Sequence, residues 1–186
     1  MLLNDEEIRS LIKSGALADA LEKNVGPVSY DLTTKEFYTE SGSFSEYVLK
    51  PGHSVFVGSR EVVSLPRDLA ARVLLRNSRI RQGLSLDAPL YFPGHKTAIY
   101  FRVTNVSGNE IRLDCGKGIA QMVFEKVDAP VTEAYEGAFS EEFDFRGMGE
   151  YSDVYSEDVR KLEEKADEIA GIEKRMYGNV LALMAI

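Results

Sequence analysis

Residues 73–84 read VLLRNSRIRQGL, an apolar run that stops at Arg76 and is followed by Asn77, Ser78, Arg79 and Arg81 before Gly83. Three guanidinium groups and two small polar side chains within six residues stand out in a chain of formal net charge −8. Arginine forks, with hydroxyl and amide donors beside them, are the groups that grip phosphate oxygens. The same pattern fits a solvated basic strand end before a turn, and on charge alone that is the simpler reading. Two groups that could move protons follow closely, Asp87 and His95. Histidine ordinarily titrates near neutrality, which suits a general base, but at this place it also suits a turn. Cys115 is the single cysteine, so an intrachain disulfide and a cysteine-based metal site are both excluded, as expected for a reducing cytoplasm.

The acidic balance argues against polymeric nucleic acid and against an anionic membrane surface, since both need a broad basic face. It leaves room for a small anion held by a local cluster. With 186 residues and 44% hydrophobic content the chain has material for one cored domain plus an appendage. The start, MLLNDEEIRS, carries acids and only a short apolar run, unlike a signal peptide. No stretch approaches the roughly 20 apolar residues of a membrane span.

The elements that must position these groups are mostly strands. Residues 3–21 read as helical, with Asn4 as N-cap, acids at Asp5, Glu6 and Glu7, an apolar stripe, and a break near Ser14 and Gly15. From Val28 to about residue 133 short extended segments alternate with turns. Residues 37–38 and 47–49 flank a Ser/Gly turn, residues 53–57 and 61–65 follow a Pro51-Gly52 turn, and residues 70–75 lead into the arginine cluster. Residues 97–105 alternate most clearly, with Ile99, Phe101 and Val103 on one face and Tyr100, Arg102 and Thr104 on the other. Residues 110–113 and 119–127 complete the set. The expected fold is mainly β, a distorted β-barrel or jelly roll, over residues 1–133 with its N-terminal helix. Residues 134–155 read as a mobile, glycine-containing tail, and residues 156–186 as a C-terminal helix with an apolar stripe and an apolar end that packs on the body or on a neighbouring subunit.

The order of these pieces resembles the superfamily of dCTP deaminases and trimeric dUTPases over about residues 1–150. SYDL precedes SREVVSLP; RNSRIR is similar to the family's RSSxxR; YFPGH leads to a strand ending in Asn105; and the segment from Gly118 through Gln121 is similar to its GxxIAQL. The resemblance implies a homotrimer with nucleotide sites at subunit boundaries, and Mg²⁺ bridging a deoxyuridine or deoxycytidine triphosphate. It implies phosphate contacts from Arg76, Ser78 and Arg81, and a place in the nucleotide site for Gln121. RGMGEYS, residues 146–152, resembles the glycine-rich tail that closes over the triphosphate in trimeric dUTPases, which would give Arg146 to phosphate and Tyr151 to the base. A flexible linker into the last helix fits that stretch equally.

Two positions depart from the pattern. The deaminase glutamate, three residues before the terminal Asn, is Arg102 here, and a guanidinium cannot deprotonate water near neutral pH. The dUTPase aspartate falls at Phe92, leaving Asp87 or His95 as the candidate base. Arg102 itself could add a cation to the nucleotide site or pair with one of the many acids. Three functions stay open: dUTP hydrolysis to dUMP and pyrophosphate; dCTP deamination, alone or combined with hydrolysis; and a catalytically inactive trimeric nucleotide binder or sensor.

Overall fold

The computed structural model of the chain describes residues 1–39, 41–146 and 157–184, with the side chains of the last helix described over residues 164–177. Helix α1 (Asp5–Ser14) opens with a capping box, in which the Asn4 side chain takes the Glu7 N–H and the Glu7 carboxylate takes the Asn4 N–H. Its Ile8 is fully buried, and Lys126 reaches Glu7 at 2.5 Å. The helix is shorter than the sequence suggests. Gly15, at φ 78°, ends it in a left-handed cap, and Leu17–Ala18 then forms strand β1 against Val63 and Val62. Leu17 therefore joins the core from a strand, where its backbone is paired by a neighbour. A 3-10 turn at Glu22–Asn24 leads into the body.

The body is antiparallel throughout. Its strands are β2 (Tyr30–Asp31), β3 (Thr34–Thr39), β4 (Gly42–Phe44), β5 (Glu46–Leu49), β6 (Ser54–Ser64), β7 (Leu69–Leu75), β8 (Leu84–Asp87), β9 (Leu90–Tyr91), β10 (Lys96–Asn105), β11 (Ile111–Asp114) and β12 (Ala120–Lys126). One sheet runs β4-β3-β6-β10-β8 with β1 on β6, a second runs β2-β12-β7-β9, and β5 pairs with β11. Among the described residues these ladders stay three separate sheets around one core, a jelly-roll-like arrangement rather than a closed barrel. The two extended segments expected at residues 53–57 and 61–65 are a single strand, β6. Gly58, in its middle, lies under Tyr38 and Tyr100; a Cβ there would stand 2.9 Å from the Tyr38 ring, so only glycine lets both rings close over the strand.

Strand β10 is the spine of the larger sheet. Ile99, Phe101 and Val103 are buried, while Tyr100, Arg102 and Thr104 face outward, as the alternation predicts. It ends at Asn105, whose amide is fully used: Nδ2 donates to the carbonyls of Leu49 and Asn109, and Oδ1 accepts from the Ser107 N–H and hydroxyl. Residues 134–146, expected as a mobile tail, instead lie against the edge of β10 that β8 is too short to cover. Lys96 N–H donates to Ser140 O at 3.1 Å and Ala98 N–H to Glu142 O at 2.8 Å. The glycine-bearing stretch 147–152 falls outside the described residues.

The last helix, α3 (Glu157–Met184, 28 residues), touches the body at the Pro51-Gly52 turn, where Asp167 meets Lys50 at 3.4 Å and His53 at 3.2 Å.

A buried carboxylate ties the N-terminal region to the sheet. Glu61, with no exposed surface, accepts from the Tyr30 hydroxyl (3.0 Å), from Thr33 N–H (3.0 Å to Oε2) and from the Ser59 hydroxyl. Tyr30 in turn accepts from Leu21 N–H at 2.8 Å, and burial pushes its phenol up to about 12, so it remains a donor to Glu61 at neutral pH. Removing the carboxylate strands several buried donors, each worth about 1–3 kcal/mol when unpaired. Glu61→Ala is therefore expected to lower stability by about 3 kcal/mol in denaturant unfolding; an unchanged midpoint would show that the network contributes nothing.

Candidate functional site

Strand β7 carries the chain to Arg76, whose N–H donates to Ile119 O at 3.1 Å. The chain then turns into the short helix α2 (Asn77–Arg81), where the sequence suggested a strand end and turn. The helix forms because Arg79 and Ile80 both return N–H bonds to Arg76 O, with Gly83, at φ 87°, leading out of the turn toward β8. Beside it lies the loop into β12. The Arg76 guanidinium packs on Gly118, where an added Cβ would stand 2.6 Å from Nη1, and reaches Asp31 at 3.2 Å. The absence of a side chain at Gly118 leaves room for the Arg76 guanidinium in this position. Arg79 Nε points at Gly118 O at 3.4 Å while its Nη1 donates to Gln82 Oε1 at 2.9 Å. Burial, and then the neighbouring Arg76 charge, lower the Arg79 pKa. Asn77, Ser78 and Arg81 are exposed on the helix, with Arg81 Nε 3.4 Å from Asn77 Oδ1. Gln121, opposite Asp31 in the β12·β2 ladder, accepts from the Ser29 hydroxyl at 3.1 Å.

Arg76, Ser78, Arg81 and Gln121 therefore stand on adjoining elements, around α2 and the start of β12. Two partners escaped the sequence reading. Asp31 anchors Arg76, and Arg79, passed over in favour of its neighbours, is turned toward Gly118. SYDL was visible as a motif, but nothing in the linear pattern placed its Asp opposite Gln121. The cluster holds more positive than negative charge: among the described residues Arg79 and Arg81 form no salt bridge. Such a surface favours an anion, and its donors suit phosphate oxygens.

The remaining candidates lie along β8, β9 and β10. Arg102 stands opposite Asp87 in the β10·β8 ladder, and its Nε (3.1 Å) and Nη2 (2.7 Å) both donate to Asp87 Oδ2. Of the two roles open to Arg102 in the sequence, the structure shows the acid pairing. Asp87 is thereby oriented and remains 61% exposed. His95 is different. Its Nδ1 accepts the Phe92 N–H at 3.1 Å and its Nε2 donates to Phe139 O at 3.0 Å, which fixes the tautomer, and burial lowers its pKa. At 4% exposure, with both ring nitrogens on backbone, it has no lone pair available for a water. His95 pins the turn between β9 and β10 to Phe139.

Phe92 takes no part in acid–base work. It stacks on Tyr135 at 5.2 Å, and a cleft of about 300 Å³ opens beside it, lined by Phe56, Leu90, Tyr91, Tyr100 and Phe139. The same outward face of β10 that carries Arg102 carries Tyr100, and Phe145 covers it, 4.3 Å from the Tyr38 ring and 5.4 Å from Tyr100. Arg146 belongs to this aromatic region, 5.3 Å above the Phe139 ring, with its N–H directed at Glu142. Tyr151 falls outside the described residues.

A family profile described as dCTP deaminase-like matches residues 38–127. A dCTP deaminase of Natronomonas pharaonis is 29% identical over 168 residues, covering 73% of this chain and 85% of the relative. A dUMP-forming dCTP deaminase of Methanosphaera stadtmanae is 26% identical over 200 residues, covering 91% and 98%. Among solved structures, the 2'-deoxycytidine 5'-triphosphate deaminase of Agrobacterium tumefaciens superposes with a TM-score of 0.59 at 20% identity, over 68% of this chain and 49% of that one, a likeness of fold. The family profile and these relatives support membership of the dCTP deaminase/dUTPase superfamily.

Proposed function

We propose that the chain binds a pyrimidine deoxynucleoside triphosphate and, of its family's two reactions, carries out hydrolysis of dUTP to dUMP and pyrophosphate rather than deamination of dCTP. The observation that carries this reading is the Arg102–Asp87 pair. Deamination needs a group that takes a proton from water and returns it to the leaving amine; a guanidinium fixed on a carboxylate does neither. Hydrolysis at phosphorus needs a carboxylate that orients and deprotonates water. Asp87 is exposed and is aimed by Arg102 through one oxygen.

In this reading Arg76, Arg79 and Arg81 neutralise the phosphates, Ser78 donates a hydroxyl hydrogen bond, and Gln121 borders the nucleotide. Arg146 keeps the phosphate role, and Tyr151 the base role, that the glycine-rich tail implies. The cradle donors suit phosphate oxygens and not a metal, and Asp31 is engaged with Arg76. Mg²⁺ would therefore arrive on the triphosphate, where it neutralises charge as the bond to pyrophosphate breaks. Asp87 stands about 10 Å beyond Leu84 along β8, at the far end from α2, so a complete site draws the cradle from one copy and the carboxylate from another, as in a homotrimer.

A second reading, binding without turnover, is favoured by the aromatic cover over the outward face of β10 and by Phe92. One assay separates these readings. Purified chain with Mg²⁺ is given dUTP or dCTP while pyrophosphate and ammonia are followed. Pyrophosphate from dUTP is expected; ammonia from dCTP would overturn the assignment, and tight binding with neither product would establish the second reading. Arg81→Ala, which removes one exposed charge-assisted donor worth about 1.5–3 kcal/mol, should weaken dUTP binding about 10- to 100-fold in calorimetry. Unchanged affinity would remove α2 from the phosphate site. Asp87→Asn should abolish pyrophosphate release while leaving dUTP affinity within a few fold, and retained turnover would rule Asp87 out as the base.

A further inference from the structure

The cleft beside Phe92 is lined by neither the arginine cluster nor the Arg102–Asp87 pair. Its walls are rings: Phe56, Tyr91, Phe92, Tyr100, Tyr135 and Phe139 border a space of about 300 Å³. Most of its polar side chains are committed to the chain's own backbone. The Tyr91 hydroxyl donates to Tyr100 O and accepts the Tyr100 N–H, both at 3.1 Å. The Thr97 hydroxyl donates to Glu142 O at 2.7 Å, and the Tyr100 hydroxyl to Phe143 O at 3.2 Å. His95 spends its two ring nitrogens on Phe92 and Phe139. A neutral polar guest would give up its water here and regain few hydrogen bonds.

What the cleft does offer is negative potential. Glu142 lines it at 7% exposure, the one carboxylate among the lining residues. Aromatic faces carry the negative end of the ring quadrupole and attract cations. Burial, and then the Glu142 and Asp144 charges, push the Tyr100 phenol up to about 12, so this ring stays uncharged near neutral pH. One cation already uses the wall: the Arg146 guanidinium lies 5.3 Å above the Phe139 ring.

We infer that this cleft binds a small organic cation whose head is an alkylated ammonium. Its volume lies at the lower end of small-ligand pockets, which suits a compact head. An anion is repelled by Glu142 and by the ring faces. A primary ammonium brings three N–H donors, and carbonyls already bonded by Tyr91, Thr97, Tyr100 and His95 leave it too few acceptors. A fully alkylated head has no donor to satisfy. Its methyl groups fill apolar space while its charge faces the rings and Glu142. The lining includes none of Arg76, Ser78, Arg81 or Asp87, so failure of the nucleotide reading leaves the cation site intact.

Calorimetry on the full-length chain tests this site with choline and with the neutral dimethylbutanol in which carbon replaces the charged nitrogen. A background of about 0.15 M sodium chloride screens the general attraction of a chain of net charge −8 for cations. Choline should bind at a single site per chain, about tenfold tighter than the alcohol. Phe139→Leu keeps an apolar wall without the ring. Glu142→Gln keeps the backbone carbonyl that Thr97 and Ala98 bond. Each should weaken choline about tenfold and leave the alcohol within about twofold. Absence of choline binding, or binding of the alcohol as tight as choline, overturns the cation site; the second result would make the cleft an apolar pocket only. Undiminished choline affinity in either variant overturns it as well, because the cation then sits elsewhere. The comparison of the two guests is made on the unaltered chain, so it holds even where a variant fails to fold.

Discussion

The structure depends on the register of β10 between two unequal neighbours. On one side β6 pairs along its whole length; on the other β8 reaches only from Asn105 to Arg102. Because side chains alternate on a strand, this register puts Ile99, Phe101 and Val103 into the core and commits Tyr100 and Arg102 to the opposite face. A one-residue slip would exchange them and bury a guanidinium among apolar groups. The short reach of β8 has two consequences. It sets Asp87 directly opposite Arg102, and it leaves the start of β10 with open backbone groups, which residues 140–142 satisfy.

That edge contact explains why the outward face of β10 is so aromatic. Once Ser140 and Glu142 are hydrogen-bonded to Lys96 and Ala98, Phe139 and Phe145 are delivered to Phe92, Phe56 and Tyr100. His95 closes the assembly by bonding Phe92 and Phe139 through its two nitrogens. This face carries an arginine paired to an acid, with a phenylalanine and a locked histidine in the adjacent turn. Phe92, His95 and Arg102 together give this face an apolar floor with an oriented carboxylate at its margin.

The phosphate cradle obeys a different constraint. In a chain of net charge −8, cations gather around α2 because Gly118 has no side chain to keep Arg76 away and because Asp31 compensates only one of the charges. Burial, and then the neighbouring Arg76 charge, lower the Arg79 pKa.

The sequence by itself determined the β-rich class, the alternation of residues 97–105, the capped first helix, the arginine cluster and the absence of the two expected carboxylates. These are local matters of period, cap chemistry and residue type. Only the tertiary structure decided that Leu17 leaves its helix for a strand, that α2 is helical, that residues 134–146 lie on the β10 edge, that His95 has no free nitrogen and that Arg102 holds Asp87. Each of these turns on a partner distant in the chain: Val63 for Leu17, Ile119 for Arg76, Phe139 for His95. No local pattern encodes which backbone carbonyl or strand edge remains unsatisfied until the sheets have formed, and that residual demand for hydrogen bonds fixed these groups in place.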